Sequence, residues 1–279
     1  MMKLMVMNAS PRKKGNSDVL SAIAIREANK AGVELTEVIH LRDYHLIQCN
    51  GCMRCVFKDE PCPLPDDFYA WCETIDTADA LFLVAPTYVT TIPGILKVLF
   101  DRYLLIPPLY RRLYGRPAVS VGVASPIDWE HFQLPFMNMF LLGLGFRIVD
   151  SFMVYGAGPG EVLLDRDQTS RVKEALKGLW SPGGGKAEFS EVISDWCPVC
   201  RSTVFERIQG RRFRCPVCLS EGLLEEDGYR FDPASMNEHR WTPRRMEDHF
   251  QSWILKTKGM FREKLKEIMR RKREELGAG

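Results

Sequence analysis

The sequence predicts an α/β protein, with one five-stranded parallel sheet covered by helices on both faces. A small cysteine-rich module and a long terminal helix follow it. Three observations carry this. Short β-prone runs alternate with helix-like segments over residues 3–180, most of those runs are continuously apolar, and the βα units number five. Continuously apolar strands belong to a sheet buried on both sides. Five units fit an open doubly wound sheet and fall short of the eight of a (β/α)8 barrel.

The elements follow in order. "KLMVMN" (3–8) is a short apolar strand, and a polar loop leads to a helix that opens near Asn16/Ser17 and stops at Gly32. "VELTEVIHL" (33–41) alternates as a strand, and a cysteine loop separates it from the helix "PDDFYAWCETIDTA", with Asp66 or Asp67 as its cap. "DALFLVAPTY" (79–88) is an apolar strand, and "IPGILKVLFDRYL" a helix with Pro93 early in its first turn. "RPAVSVGVAS" and "FRIVDSFMVYGAG" are strands flanking the helix "EHFQLPFMNMFLLGLG", and "DRDQTSRVKEALKGLW" is the next helix.

Composition restricts the function classes. The 279 residues are 46% hydrophobic and 27% charged, ordinary for a globular chain with a sizeable core. Basic residues follow rather than precede the short apolar N-terminal run, unlike a secretory signal. The longest apolar stretch, "FMNMFLLGLGF" (136–146), is too short for a membrane span. The cytoplasm is the expected compartment, where dense cysteine patterns read as metal or redox sites rather than disulfides. The five histidines (40, 45, 131, 239, 249) lack ligand spacing. His40 and His45, near the cysteine loop, read as packing residues. Asp79, Asp101 and Asp128 form no acid–base pair, and no Ser-His-Asp set can be argued.

In a doubly wound sheet, ligands bind at the carboxyl ends of the strands near the topological switch point. The loop after the first strand, "SPRKKGNS" (10–17), brings hydroxyls, an amide, cations and a helix N-terminus, the chemistry of a phosphate site. It has neither the Walker nor the G-x-G-x-x-G spacing. A solvated basic loop is the plain alternative. After the third strand, "APTYVTTIPGILKVLFDR" (85–102) offers backbone amides and an aromatic wall for a flat ring.

Together, "NASPRKKGNS" and "APTYVTTIPGILKVLFDR" resemble the phosphate and flavin loops of the NADPH-dependent FMN reductases. With "CNGCMRC…C" between them and "GAGPGEVLLD" (156–165) after the last strand, the chain resembles the iron–sulfur flavoprotein branch of that family over roughly residues 1–180. The resemblance implies a flavodoxin-like fold, FMN, and an adjacent [4Fe–4S] cluster exchanging electrons with it. By motif match, Ser10, Arg12, Asn16 and Ser17 take the FMN phosphate. Pro86, Thr87, Tyr88 and Val89 take the ring, and Ala124 and Ser125 add contacts. It also implies a homodimer or homotetramer and a redox partner: NAD(P)H, ferredoxin or quinone.

Eight of the nine cysteines form two tetrads. Cys49, Cys52 and Cys55 have the C-x2-C-x2-C spacing of bacterial ferredoxins, and Cys62, followed by Pro63, returns after six residues. A [4Fe–4S] cluster is the expected occupant, since structural zinc prefers two separated pairs. Gly51 lets the loop turn and donate amides to sulfur. Cys72 lies on the apolar face of a helix and reads as buried packing.

Beyond a linker (181–193), Cys197/Cys200 and Cys215/Cys218 form two "CPVC" knuckles fourteen residues apart, with a hairpin at Gln209-Gly210. This is a zinc-ribbon pattern over 194–232, too small to fold without its metal. Iron of the rubredoxin kind uses the same knuckles at longer separation. Residues 240–276 read as one amphipathic helix opening at Thr242-Pro243. Its stripe of Met246, Phe250, Trp253, Ile254, Phe261, Leu265 and Ile268 is expected to pack on the sheet domain or on another subunit. Twelve Lys/Arg against six Asp/Glu over 240–279 raise nucleic-acid binding, but a solvated face laced with opposite charges is the ordinary reading.

An FMN-dependent oxidoreductase is the first functional expectation. The alternative is a flavin-binding scaffold or sensor whose ribbon and basic helix engage a partner or nucleic acid.

Overall fold

A computed structural model describes residues 2–58, 60–125, 127–180 and 189–277. The N-terminal part contains β1 (Lys3–Asn8), α1 (Asn16–Lys30), β2 (Glu34–His40), α2 (Arg54–Phe57), α3 (Phe68–Asp76), β3 (Ala80–Pro86) and α4 (Gly94–Phe100). It continues with α5 (Pro107–Leu113), β4 (Pro117–Ala124), α6 (Gln133–Gly143), β5 (Arg147–Tyr155) and α7 (Arg166–Trp180). The five strands pair in parallel in the order β2-β1-β3-β4-β5, the flavodoxin-like order with its switch point between β1 and β3.

The apolar runs of β1, β3 and β4 are buried because both faces are covered. Leu20, Ile23, Val172 and Leu176 of α1 and α7 meet Val6, Phe82 and Val121 on one face. Phe68, Trp71, Leu96, Leu109, Phe140 and Leu141 of α3 to α6 meet Met5, Met7, Leu81 and Leu83 on the other. Burial of a large apolar side chain contributes about 1.5–3 kcal/mol, so these two layers dominate stability.

The second sheet is antiparallel, in the order β6-β10-β9-β8-β7. Its strands are β6 (Val192–Ser194), β7 (Glu206–Gln209), β8 (Arg212–Arg214), β9 (Glu221–Glu225) and β10 (Gly228–Phe231). Gly210, at φ +57°, turns the β7–β8 hairpin at the expected place. This module is not held apart from the first. Cys197, Cys200, Phe213, Val217, Phe231 and Met236 belong to the same buried cluster as Phe140 and Leu141. Asn138, fully buried on α6, donates from Nδ2 to the Cys200 carbonyl at 2.7 Å, and its Oδ1 accepts from Ser120 Oγ at 2.6 Å. Of the expected linker 181–193, residues 181–188 lie outside the described residues.

The chain closes with α8 (Pro233–Asn237), α9 (Pro243–His249) and α10 (Thr257–Leu276). The single helix expected over 240–276 is therefore interrupted: a wide π turn at Phe250–Ile254 lies between α9 and α10. Thr242 caps α9 as expected, its Oγ1 accepting from the Arg245 amide at 3.4 Å. The stripe is only partly covered: Met246, Phe250, Ile254 and Ile268 are half-buried, and polar contacts tie the segment to the sheet domain, Glu247 pairing with Arg111 and Lys258 donating to Phe57 O at 2.9 Å. Helix α10 buries no residue, and Trp253, Phe261 and Leu265 are exposed. Its charges are laced as anticipated: Arg270 pairs with Glu267 and Glu274, and Arg271 with Glu267.

Three further details differ from expectation. Pro93 is the N-cap of α4 rather than a residue of its first turn. Helix α5 is absent from the expected elements; Pro107 and Pro108 occupy its first turn, where a missing amide hydrogen costs nothing. The α3 cap falls within the expected Asp66–Asp67 pair, but the side-chain bond to the helix comes from the residue before the cap: Asp66 Oδ1 accepts from the Phe68 amide at 3.3 Å. Asp67 sits at the cap position without a side-chain cap bond, and its carboxylate accepts instead from the His45 amide at 2.7 Å. No helix among the described residues is long and apolar enough to cross a membrane.

Asn138→Ala strands the Cys200 carbonyl in the core and takes one of two partners from the Ser120 hydroxyl, which keeps Ser151 Oγ at 2.8 Å. The full chain should lose about 1–3 kcal/mol in urea unfolding, and an unchanged midpoint would show that Asn138 does not hold the two sheets together.

Candidate functional site

The carboxyl edge of the parallel sheet is built by hydrogen bonds that extend the ladder past the strand ends. Ala9 N donates to Val84 O at 2.9 Å, Thr87 N to Val123 O at 2.8 Å, and Gly156 N to Ala124 O at 2.9 Å. Ser10, Asn16 and Ser17 are buried there in the β1–α1 loop and first helical turn, while Arg12 stays exposed. The first amides of a helix have no intrahelical acceptor, so this turn presents donors to an anion. Asn16 Nδ2 donates to Gly156 O at 2.9 Å, joining the β1 and β5 loops, while its Oδ1 is buried without a partner. Sequence reasoning missed the residues that brace this loop. Asp18 accepts from Asn8 Nδ2 at 2.7 Å and from Lys14 N at 2.6 Å. Arg42, just beyond β2, donates to Asp18 at 2.9 Å and to the carbonyls of Ser10 and Arg12 at 3.4 and 3.2 Å. Burial would raise the Asp18 carboxyl, but the Arg42 hydrogen bond, the Lys14 amide and the Arg42 charge outweigh it and hold it below the ordinary value. His40 lies beside this pair, 3.9 Å from Asp18, rather than at the cysteine loop; burial, then the Arg42 charge, lowers its pKa against the pull of Asp18 and Asp43.

Pro86, Thr87, Tyr88 and Val89 follow β3 on the same edge, and Ala124 (buried) and Ser125 (exposed) follow β4. Tyr88 and Thr91 exchange backbone hydrogen bonds at 2.8 and 3.3 Å around Val89 and Thr90, at φ +47° and +67°. Positive φ at both central residues is the type I′ pattern normally given to Asn or Gly. Two β-branched residues here cost on the order of 1–3 kcal/mol each. Gln133, fully buried, fixes the end of β3 by donating to the carbonyls of Ala85 and Pro86 at 3.2 and 3.3 Å. Gly122 of β4 makes room for that side chain, since a Cβ there would lie 2.9 Å from Gln133 Cγ and 2.4 Å from Met153 Sδ. The Thr87 hydroxyl is buried without a partner. Asn16 Oδ1 and Thr87 Oγ1 are thus orphaned polar atoms on an edge that also offers helix amides: the amides and the Thr87 hydroxyl can donate to a ligand, and Asn16 Oδ1 can accept from a ligand N–H or O–H.

The cysteine loop leaves β2 beside this edge and is clamped at its base. Asp66 and Arg102 form a fully buried ion pair. Asp66 also accepts from Ile47 N at 2.8 Å, Arg102 donates to Ile47 O at 3.4 Å, and its guanidinium lies 4.2 Å from the centroid of the Phe68 ring. Within the loop, Gly51, at φ +68°, donates its amide to Cys49 Sγ at 3.4 Å, and the Cys62 amide donates to the Tyr69 hydroxyl at 2.8 Å. Cys49 and Cys52 are exposed, Cys55 and Cys62 half-buried. Burial, then the neighbouring Cys62, Cys49 and Cys52, pushes the Cys55 thiol up. Cys72 is half-buried outside this group, and burial raises its thiol to about 12, so it is inert packing.

The second tetrad is tighter. Cys197, Cys200, Cys215 and Cys218 are fully buried with all sulfurs within 4.8 Å of one another, the one set among the described residues gathered so closely. The two CPVC knuckles are near-copies: Arg201 N donates to Cys197 O at 2.7 Å and Leu219 N to Cys215 O at 2.8 Å, with Arg201 and Leu219 at φ +59° and +66°. Cys197 lies 3.4 Å from Cys218, and Cys200 the same distance from Cys215. Burial pushes the Cys197 and Cys200 thiols up, whereas hydrogen bonds from Cys197, Cys200 and Cys218 hold Cys215 down. Arg201 acts electrostatically on Cys197 and Cys200, and Arg240 on Cys218 and Cys215. A divalent ion with four thiolates carries a net charge of −2, which two guanidiniums offset.

Arg102→Met leaves Asp66 as an uncompensated buried charge. The chain should lose about 3–5 kcal/mol, and hydrogen exchange at Ile47 and His45 should rise with it. Unchanged exchange there would remove the clamp.

Residues 2–156 match the family described as NADPH-dependent FMN reductase. An iron–sulfur flavoprotein of Archaeoglobus fulgidus is 42% identical over 127 residues, a match covering 44% of this chain and 61% of the relative. One from Methanocaldococcus jannaschii is 36% identical over 144 residues, 50% of this chain and 72% of the relative. A solved structure described as a flavone reductase superposes with a TM-score of 0.64 at 18% identity, over 99% of this chain and 94% of that one, a likeness of fold that includes the C-terminal part. The chain belongs to the NADPH-dependent FMN reductase family, in its iron–sulfur flavoprotein branch, and is an FMN-dependent oxidoreductase.

Proposed function

We propose that the protein binds FMN at the carboxyl edge of the parallel sheet and exchanges electrons between it and a [4Fe–4S] cluster on Cys49, Cys52, Cys55 and Cys62. The observation that carries this reading is Arg42, which ties the segment entering the cysteine loop to Ser10, Arg12 and Asp18 of the anion loop. The two candidate sites thereby share one braced edge. FMN supplies two-electron hydride chemistry and the cluster one-electron chemistry; the protein supplies position and charge.

In this reading Ser10, Asn16, Ser17 and the α1 amides hold the phosphate, and Arg12 adds a cation from the solvent side. Thr87 and the backbone of Pro86–Val89 meet the ring, with Tyr88 as a wall and Ala124 and Ser125 on its far side. Gly51 donates to thiolate sulfur, which favours the ionised form. A cubane places its four thiolates on four different irons, so it suits an open loop better than a single ion does. The buried tetrad suits zinc, whose 2.3 Å bonds to sulfur bring tetrahedral ligands within about 3.8 Å. That site is structural and redox-inert. The electron donor is NAD(P)H or ferredoxin, and a quinone is a fitting acceptor. The exposed stripe of α10, with Phe261 and Leu265, fits a homodimer or homotetramer.

The carboxyl-edge reading is tested by cofactor release and affinity. The released flavin should be FMN, and Arg12→Ala with Ser17→Ala should weaken it by roughly tenfold or more with both metal sites filled. FAD, or no flavin after reconstitution, defeats the reading.

Metal analysis separates the tetrads. Anaerobic Cys62→Ala should lose iron, sulfide and the reduced-state EPR signal but retain FMN and zinc. Cys197→Ser with Cys200→Ser should lose one zinc per chain and keep electron transfer from reduced cluster to flavin. Iron in the buried site, or a normal cluster without Cys62, would reverse the assignment.

A further inference from the structure

We infer that the cleft between the amino-terminal edge of the parallel sheet and the cysteine module is a second binding site, for a planar aromatic monocarboxylate. The cleft has a volume of about 400 Å3, within the roughly 300–1,000 Å3 range of small-molecule sites. It lies at the start of β4 and β5, whereas the flavin edge lies at their ends. The eight residues of β4 set the two apart by roughly 25 Å.

Four aromatic residues line the cleft: Tyr114 and Phe146 from the sheet domain, Phe189 and Trp241 from the module side. Trp241 is fixed at both ends. Its indole donates to Val217 O at 2.8 Å, and its carbonyl accepts from the Tyr110 hydroxyl at 2.5 Å. With its N–H satisfied, the ring presents carbon to the cleft. Aromatic walls held on two bodies favour a flat apolar ligand.

The polar contribution is one cation. Arg147, the first residue of β5, lines the cleft, and its Nε is shut off from solvent without a hydrogen-bond partner. Among the described residues its guanidinium has no ion pair. Burial alone lowers its pKa, with no carboxylate to offset the cost. The other charges lining the cleft cancel, because Arg244 pairs with Glu238. His239 is neutral: burial holds it down to about 4, and its Nδ1 accepts from the Trp241 amide at 3.2 Å, which leaves the hydrogen on Nε2. A half-buried guanidinium without an ion pair, its Nε shielded from water, is a fork for one carboxylate, and the neutral imidazole N–H adds a donor without a second charge.

The test is calorimetric titration of the full cofactor-loaded chain with benzoate, with benzamide and inorganic phosphate as comparison probes. Benzoate should bind once per chain, and benzamide and phosphate at least tenfold more weakly, because each lacks either the charge or the ring. Arg147→Gln should weaken benzoate tenfold or more, Arg147→Lys should retain part of the affinity, and FMN content should not change. Benzoate binding that ignores Arg147→Gln, or that benzamide equals, overturns the site. So does a wild type that binds no benzoate while Glu188→Gln does. Glu188, outside the described residues, is the acidic residue of 181–188, and that result would make it the partner of Arg147.

Discussion

The cysteine loop depends on one buried ion pair. Asp66 and Arg102 are removed from water together, and such a pair offsets its desolvation only when its remaining hydrogen-bonding capacity is used. Asp66 meets that condition by also accepting from the amides of Ile47 and Phe68. Arg102 meets it only in part: Nη1 donates to Ile47 O as well and the guanidinium covers the Phe68 ring, while Nε and Nη2 are buried without a hydrogen-bond partner. The pair therefore grips one residue, two positions before Cys49, from both its amide and its carbonyl. Asp67 secures His45 next to it, and Tyr69 takes the Cys62 amide at the other end. The start of α3 thus serves as an anchor for both ends of a loop whose thiols are themselves exposed or half-buried. Polar groups invested here make the loop's position specific, where apolar packing would leave it free to slide.

A different solution holds the second tetrad. Its sulfurs are wholly buried, and the knuckles that carry them are docked on α6 through Asn138 and on β5 through Arg201, which donates to Val149 O at 3.3 Å. Arg201 also stacks on Trp196 at 4.1 Å. A module of short strands has too little core to stand alone. This one shares its buried cluster with the sheet domain. The contrast between tetrads is one of setting: the first is open and polar, with thiols exposed or half-buried, and the second is closed, with four buried sulfurs and two guanidiniums nearby.

Strain is concentrated where the flavin ring is expected. Val89 and Thr90 accept left-handed backbone that glycine would take freely, and the two Tyr88–Thr91 hydrogen bonds and the Phe132 amide on Thr90 O hold them there. The energy lost locally is returned by the buried frame beneath, in which Gln133 fixes β3 and Gly122 leaves the space for Gln133. Between this tip and its floor the Thr87 hydroxyl stays buried without an internal partner.

Local signals sufficed for the parallel sheet, the polar β1–α1 loop, the ferredoxin-like spacing of Cys49 to Cys62 and the paired CPVC knuckles. Each depends on periodicity or spacing within a few residues, which the chain displays directly. Helix α5 escaped because a Pro-Pro pair is ambiguous until its place in a helix is known. Arg42, Asp18, Asp66 and Arg102 escaped for another reason: charged residues are common in loops, and nothing local distinguishes a solvated one from one buried against a partner 24 or 36 positions away. The same holds for Asn138, which sits mid-helix like a mere interruption and in fact joins two sheets. The stripe of α9 and α10 announced an apolar face, but only tertiary structure showed which part of it, Trp253, Phe261 and Leu265, is left exposed. Long-range contacts are set by the packing of whole layers, and so the unpaired Arg147 and the aromatic cleft around it exist only once both sheets have met.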